Sequence, residues 1–138
     1  GAAGGMGATL VSFLGAEMKA GIAVMMNVVN FESVVQGADL IITGEGKLDY
    51  QTFSGKVISG VSKIAQKSKI PVIALCGALQ INREQMDKLG LMGAFTIVPG
   101  PCTLETAMVQ APEWLVNRTE QIMSFIKTLE SGVFKFET

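Results

Sequence analysis

Short apolar runs alternate with segments of helical periodicity over most of the chain. Runs at residues 38–43, 72–76 and 94–98 are rich in aliphatic side chains and bounded by Gly or Pro, which predicts three buried strands. Between the first two runs, residues 54–67 form a predicted amphipathic helix whose apolar face holds Val57, Ile58, Val61, Ile64 and Ala65. Strands that alternate with helices predict an α/β fold, with a small, open, mostly parallel sheet and flanking helices.

The amino-terminal part of the chain predicts helices. Apolar residues recur at helical spacing over residues 6–20, whereas residues 22–29 are apolar without a clear period and are compatible with either strand or helix. Asn30 is the predicted cap of a short helix over residues 31–36.

The remaining helices are indicated by their end signals. Asn82, with Gln85 at the third helical position, predicts a capped helix over residues 82–89. Thr103 is the predicted cap of the last helical region, in which Pro112 has the position of a helix start. We therefore divide that region into helices over residues 103–110 and 113–131.

The chain has the size of one domain at 138 residues, with one candidate boundary near Gly37. Residues 1–36 are a helical lead that can belong to a companion domain, and residues 37–138 are the α/β core. Hydrophobic residues make up 49%, charged residues 17%, and the mean hydropathy is +0.41, which is more apolar than most single domains. Either both faces of the sheet are covered, or part of the surface packs against something outside this chain.

Charge and residue types exclude several classes of function. A net charge of -1 with interspersed signs argues against nucleic acid and membrane surfaces as partners, and no apolar stretch predicts a membrane span. The chain has no histidine, which excludes Ser-His-Asp and Cys-His catalysis and leaves acid–base work to carboxylates, lysine or tyrosine. Cys76 and Cys102 stand apart, so we expect reduced, structural thiols in a cytoplasmic protein.

The segment at residues 43–52 is the strongest candidate site. Glu45 and Asp49 follow a predicted strand, and Gly44 and Gly46 allow the backbone to approach a ligand closely. The two acids are candidates for holding Mg²⁺, or for accepting a proton from a substrate hydroxyl. The alternative is an ordinary glycine turn in which Asp49 caps the following helix.

Two glycine-containing helix starts are weaker candidates. Lys56 follows Ser54-Gly55, but the Walker A pattern fails because Tyr50 stands where a glycine is required and Val57 where Ser or Thr is required. Lys56 either binds an anion at the helix start or is a solvated lysine. The glycines of residues 1–7 either approach a substrate or allow close helix packing.

These motifs together resemble the bacterial type I glycerate kinase family. The resemblance rests on GAAGGMGA at residues 1–8, ADLIITGEGKLDYQTFSGK at 38–56 and PVIALCGAL at 71–79. It covers essentially the whole chain, and the GEG-x-x-D-x-Q portion is far more specific than a lone glycine motif. Members of the family are longer, so the resemblance implies that these residues are about the last third of a kinase chain.

The resemblance also implies a reaction and a site. It implies ATP- and Mg²⁺-dependent phosphorylation of D-glycerate to 2-phosphoglycerate in a cleft between two α/β domains. The residues that match the family's motifs and would lie in or near the cleft are Gly4, Gly5, Gly7, Gly44, Glu45, Gly46, Asp49, Gln51 and Lys56. We expect Asp49 to orient or deprotonate the glycerate hydroxyl, Glu45 and Asp49 to serve the metal, and Lys56 to contact an anionic group.

Two other functions remain open at this point. One is an α/β module that binds a small anion or a nucleotide without catalysis. The other is a nicotinamide-dependent enzyme, which is disfavoured because Gly44-x-Gly46-x-x-Asp49 lacks the third glycine of the dinucleotide fingerprint. In either case the exposed sheet edge predicts a partner, either the missing amino-terminal part of a longer chain or a second copy.

Overall fold

The computed structural model describes residues 12, 21–50 and 57–132 and contains a three-stranded parallel sheet with the order β1-β2-β3. The prediction of an α/β fold with a small parallel sheet is confirmed. The strands are β1 (Ile41–Leu48), β2 (Val72–Leu79) and β3 (Gly93–Thr96).

The helices of the described residues flank this sheet. Residues 22–28, in the segment that the sequence leaves open, are helical, and the predicted helix over residues 6–20 lies outside the described residues except for residue 12. No helix in the described ranges is long and apolar enough to cross a membrane. The helices are α1 (Gly21–Val28), α2 (Phe31–Val34), α3 (Val57–Lys67), α4 (Arg83–Lys88) and α5 (Leu104–Glu130).

The main core lies between the sheet and α3. Positions 58, 61 and 65 of α3 recur at helical spacing, so all three apolar side chains face the sheet. Met26 of α1 and Phe31 of α2 pack against the same cluster from outside. Its buried members are Leu48, Ile58, Val61, Ala65, Val72, Ala74, Cys76, Leu89 and Leu91.

The opposite face of the sheet forms a smaller core with α5. Ile122 of α5 is 8% exposed and packs with Ile73 and Leu75 of β2. Leu40, Ile97 and Ile126 pack around these three residues. The carboxyl-terminal half of α5 is therefore the part that anchors this helix to the sheet.

The predicted ends of β1 and β2 are wrong, because glycine does not end either strand. β1 does not end before Gly44 and β2 does not end at Gly77, since each strand continues to a leucine, Leu48 and Leu79, and these two leucines are register partners. Backbone ladder bonds need no side chain, so glycine weakens a strand without preventing its pairing. The third strand is also displaced, ending at Thr96 rather than at residue 98.

The predicted break at Pro112 is wrong as well. Residues 104 to 130 form one helix that contains Pro112. Proline has no N–H, so the helix lacks the bond to the carbonyl of Met108, and packing beyond Pro112 maintains the helical backbone.

The predicted helix caps are confirmed at two of three positions. Asn82 and Gln85 form a reciprocal capping box at α4, and the Thr103 hydroxyl accepts a hydrogen bond from the Thr106 amide at 3.2 Å. Asn30 precedes α2 but has φ 48° and makes no side-chain cap bond to the helix backbone. Its carboxamide oxygen instead accepts a hydrogen bond from the Ser33 hydroxyl at 3.2 Å.

Candidate functional site

The Gly-Glu-Gly segment belongs to a strand rather than to a loop. Gly44 pairs with Leu75 and Glu45 with Cys76, and the pairing resumes at Lys47. The prediction that a loop begins at residue 43 is therefore wrong up to Leu48. Glu45, which is half-buried, is consequently held by the hydrogen-bond ladder of a parallel sheet.

Both long strands change the face that they present to the α3 core. Ile41 and Leu48 lie seven positions apart in β1, and both pack with the α3 core. Val72 and Leu79 of β2 show the same spacing and the same contact. Strict alternation would place residues an odd number of positions apart on opposite faces, so each strand switches face once along its length.

The switch coincides with a pair of glycines. The register between the strands is continuous from Ile41 to Glu45 and is interrupted only at Gly46, opposite Gly77. A Cβ atom on Gly77 would lie 2.7 Å from the carbonyl oxygen of Gly46, a separation that real Cβ atoms essentially never show. Only glycine at position 77 allows the two backbones to approach so closely.

Asp49 follows immediately after the switched end of β1. Leu48 is the last residue of β1 and is buried in the α3 core, and Asp49 comes directly after it at the carboxyl end of the strand. Asp49 is only 6% exposed. Lys47 Nζ lies 3.2 Å from Asp49 Oδ2. A carboxylate that is removed from water and paired with one cation interacts strongly with any further charge placed beside it.

A cleft of about 440 Å³ opens on the α5 side of this half of the sheet. The sheet side of the cleft is lined by Gly44, Gly46, Gly77 and Ala78, together with Leu75 and Cys76 of β2. Glu45 and Lys47 border the cleft, and Ile97 and Val98 border it beyond β3. The wall formed by α5 is apolar and consists of Leu104, Ala107, Met108, Ala111 and Leu115.

The glycines of the sheet leave space beneath the first part of α5. Where α5 carries Ile122, the sheet carries Ile73 and Leu75, and the space between them is filled. Towards the carboxyl ends of the strands the sheet carries glycines, and the wall of α5 includes two alanines. The same helix thus anchors at one end and leaves a cavity at the other.

The sequence did not indicate that α5 forms one wall of this site. The wall residues at positions 104, 107, 108, 111 and 115 have helical spacing, which was a usable signal. The predicted break at Pro112 separates position 115 from the other four, so the sequence alone does not group them. Gly77 is likewise a predicted strand end, but it lines the cleft.

The described residues include only part of the predicted site. Gly44, Glu45, Gly46 and Asp49 lie together at the end of β1. Within the ranges 21–50 and 57–132, no group of three or more acidic or Cys side chains could hold a metal ion, so Mg²⁺ at Glu45 and Asp49 stays a prediction. The predicted residues outside the described ranges are Gly4, Gly5, Gly7, Gln51 and Lys56.

The two cysteines are free, as predicted. Cys76 is 2% exposed, and its thiol donates to the carbonyl oxygen of Phe95 at 3.5 Å. Burial raises the pKa of the Cys76 thiol from 9.0 to about 11, so the thiol stays protonated near neutral pH. Cys102 is exposed. The buried thiol thus has the environment of a structural residue rather than that of a nucleophile.

Comparison with known proteins gives a consistent result. Residues 1–127 match the glycerate kinase family. A glycerate kinase from Bacillus subtilis (strain 168) is 42% identical over 127 residues, which cover 92% of this chain and 33% of that protein. Glycerate 2-kinase from Escherichia coli (strain K12) is 41% identical over 107 residues, 78% of this chain and 28% of that protein.

A solved structure supports the same assignment. The crystal structure of a glycerate kinase 2 from Salmonella typhimurium LT2 superposes with a TM-score of 0.72 at 37% sequence identity. The superposition covers 95% of this chain and 33% of that chain. The chain spans about a third of the length of the relatives that it matches.

Proposed function

Because the chain belongs to the glycerate kinase family, we propose that it supplies one side of the active site of an ATP- and Mg²⁺-dependent kinase. The reaction is phosphorylation of D-glycerate to 2-phosphoglycerate. The observation that carries the proposal is the cleft bordered by Gly44, Glu45 and Gly46, next to the buried Asp49. Ligands of open parallel sheets bind at this edge, where the carboxyl ends of the strands lie.

The residues at this edge suit phosphoryl transfer. That reaction depends on positioning and charge neutralisation rather than on covalent catalysis, so a site without histidine can perform it. Asp49 accepts the proton of the glycerate hydroxyl or fixes its orientation, and its burial strengthens that interaction. Lys47, which is paired with Asp49, and the predicted anion contact Lys56 add positive charge for phosphate or carboxylate groups.

The donor set also fits Mg²⁺. This ion is typically bound by one or two carboxylates together with substrate phosphates, and Glu45 and Asp49 supply that number of carboxylates. When bound, Mg²⁺ neutralises the charge of the transferring phosphate. Gln51 and the glycines Gly4, Gly5 and Gly7 are the remaining proposed contacts to substrate.

The isolated chain is proposed to be inactive. It spans 33% of the Bacillus subtilis relative, and the cleft wall is open, with Leu104 79% exposed. The kinase chain that completes the site is the proposed partner, in preference to a second copy. A reaction that consumes ATP and a small organic acid fits the cytoplasm, which is the proposed location.

The test is a coupled assay of ADP release with D-glycerate and Mg-ATP. It compares this chain alone with a chimera in which residues 1–127 replace the matched segment of the Bacillus subtilis glycerate kinase. We expect turnover that depends on glycerate in the chimera and none in the chain alone. A folded chimera that binds nucleotide without turning over glycerate would contradict the proposal and favour a binding module.

A further inference from the structure

We propose that the cleft between α5 and the glycine-rich half of β1 receives the purine base of the nucleotide. This inference rests on the proposed kinase function and assigns one part of one substrate to a specific surface. It concerns the side of the sheet opposite the main core, where Gly44, Gly46 and Gly77 provide the floor.

Among the chemical groups of the two substrates, the purine base is the one that suits an apolar cleft. Glycerate carries a carboxylate and two hydroxyl groups, and the triphosphate is a polyanion, so both lose hydration energy against an apolar wall. The base is the flat and weakly polar part of the reacting pair. The wall of the cleft offers aliphatic contact from Leu104, Met108 and Leu115. Such a wall stabilises a planar ring by burial and does not stabilise the phosphates.

The shape of the cleft agrees with this assignment. Its volume of about 440 Å³ lies within the range of roughly 300–1,000 Å³ that is usual for small-molecule sites. The glycines of the floor allow a ring to lie against the peptide planes of Gly44 and Gly46, while Leu75 and Ala78 of β2 add aliphatic contact from the sheet. Met108 adds a flexible side chain that adapts to the edge of a ring.

The polar border of the cleft agrees as well. Glu45 and Lys47 lie at its border, and Lys47 is paired with Asp49. A base in the apolar part of the cleft would therefore have its phosphates directed towards the proposed catalytic groups. The alternative occupant is a side chain from the rest of the kinase, and adenosine binding by variants that fill the cleft separates the two.

The first measurement uses Ala111→Leu in the chimera, which fills the cleft from the α5 wall. We expect the KM for ATP to rise about tenfold or more, because one misplaced aliphatic group in a pocket has an effect of this size. The KM for glycerate and kcat should change by less than about twofold. The matched control is Val116→Leu, since Val116 lies on the same helix, is 56% exposed and does not border the cleft.

The second measurement uses adenosine, which has no phosphate groups, without metal and without turnover. We expect adenosine to bind the unmodified chimera and the Val116→Leu control, as measured by equilibrium dialysis, and binding to weaken about tenfold in Ala111→Leu. Ala107→Val narrows the same cleft more mildly and replaces Ala111→Leu in both measurements if that variant does not fold. A rise in the KM for glycerate instead, or unchanged adenosine binding, overturns the inference.

The two proposals fail in different ways. If the chimera phosphorylates glycerate but Ala111→Leu leaves the KM for ATP and adenosine binding unchanged, the kinase function stands and the base lies elsewhere. If the folded chimera shows no turnover of glycerate but loses adenosine binding on Ala111→Leu, the cleft binds the base and the kinase function is wrong. A variant that only lowers the melting temperature identifies the cleft as a packing surface, which also overturns the inference.

Discussion

A methyl group on the Cα of Gly77 would lie 2.7 Å from the carbonyl oxygen of Gly46 on the neighbouring strand. The partner atom is backbone, so it cannot move aside as the end of a flexible side chain can. At these two glycines, each strand changes the face of the sheet to which its alternate side chains point. The position of Asp49 therefore depends on a residue that comes 28 positions later in the chain.

Gly77→Ala should destabilise the fold. The added methyl group forces β1 and β2 apart where they switch face, with an expected loss of about 1–3 kcal/mol in the free energy of unfolding. Gly44→Ala is the matched control, because its new Cβ would meet only the Leu75 carbonyl oxygen at an ordinary 3.5 Å. Urea unfolding of both variants measures the difference. Equal losses in the free energy of unfolding of the two variants would show that the close approach of Gly77 to the Gly46 carbonyl does not cause the destabilisation.

Asp49→Asn should lower turnover in the chimera by about two orders of magnitude or more, because the amide cannot accept the substrate proton. The melting temperature should change little by comparison. Asp87→Asn on α4 is the control, since Asp87 is also paired with a cation, Arg83, but lies on the surface away from the cleft. Near-normal turnover in Asp49→Asn would remove Asp49 from the mechanism.

Cys76 should make stability depend on alkaline pH. Between its usual pKa of 9.0 and the raised value of about 11, the unfolded chain has lost the thiol proton while the folded chain retains it. The free energy of unfolding therefore falls as pH rises through this interval, by an amount on the order of 1–3 kcal/mol, and is unaffected below it.

The measurement compares urea unfolding of the unmodified chain and of Cys76→Ala at several pH values across that interval. The difference between them should shrink as pH rises, whereas Asn117→Ala, which retains the Cys76 thiol and removes no titratable group, should show a constant difference. A difference for Cys76→Ala that does not vary with pH contradicts the assignment.

Asn82→Ala should weaken α4 by about 1 kcal/mol, since it removes the oxygen that accepts the Gln85 amide at 2.9 Å. Asn117→Ala is the control, because Asn117 is an exposed position inside α5 where alanine is favourable. Chemical unfolding of both variants gives the comparison. A loss at Asn117 as large as that at Asn82 would show that the capping box adds no stability of its own.

Local signals in the sequence were sufficient for the class of fold and for two helix starts. The capping box of Asn82 and Gln85 involves residues three positions apart, so the two residues that predict it in the sequence are the same two that form its hydrogen bonds. The strand ends depended on tertiary pairing instead. Gly46 and Gly77 look like stops when each strand is considered alone, but the ladder continues past both because each backbone has a partner.

The candidate site was predictable only in part for the same reason. Gly44, Glu45 and Asp49 were found because they cluster in sequence. Ala107 and Ala111 come from a helix more than 50 residues later, and their role depends on α5 lying across the sheet. A single sequence contains the helical spacing of that wall but not the surface that it faces.

Pro112 divides α5 into two parts with different attachments. The part after it is fixed to the sheet through Ile122 and Ile126. The part before it forms most of the cleft wall, carries the exposed Leu104 and Met108, and is joined to the rest across a helical turn that lacks one hydrogen bond. Most of one wall of the cleft therefore belongs to the part of α5 that lies outside the smaller core, whereas its floor lies in strands held in register by backbone hydrogen bonds.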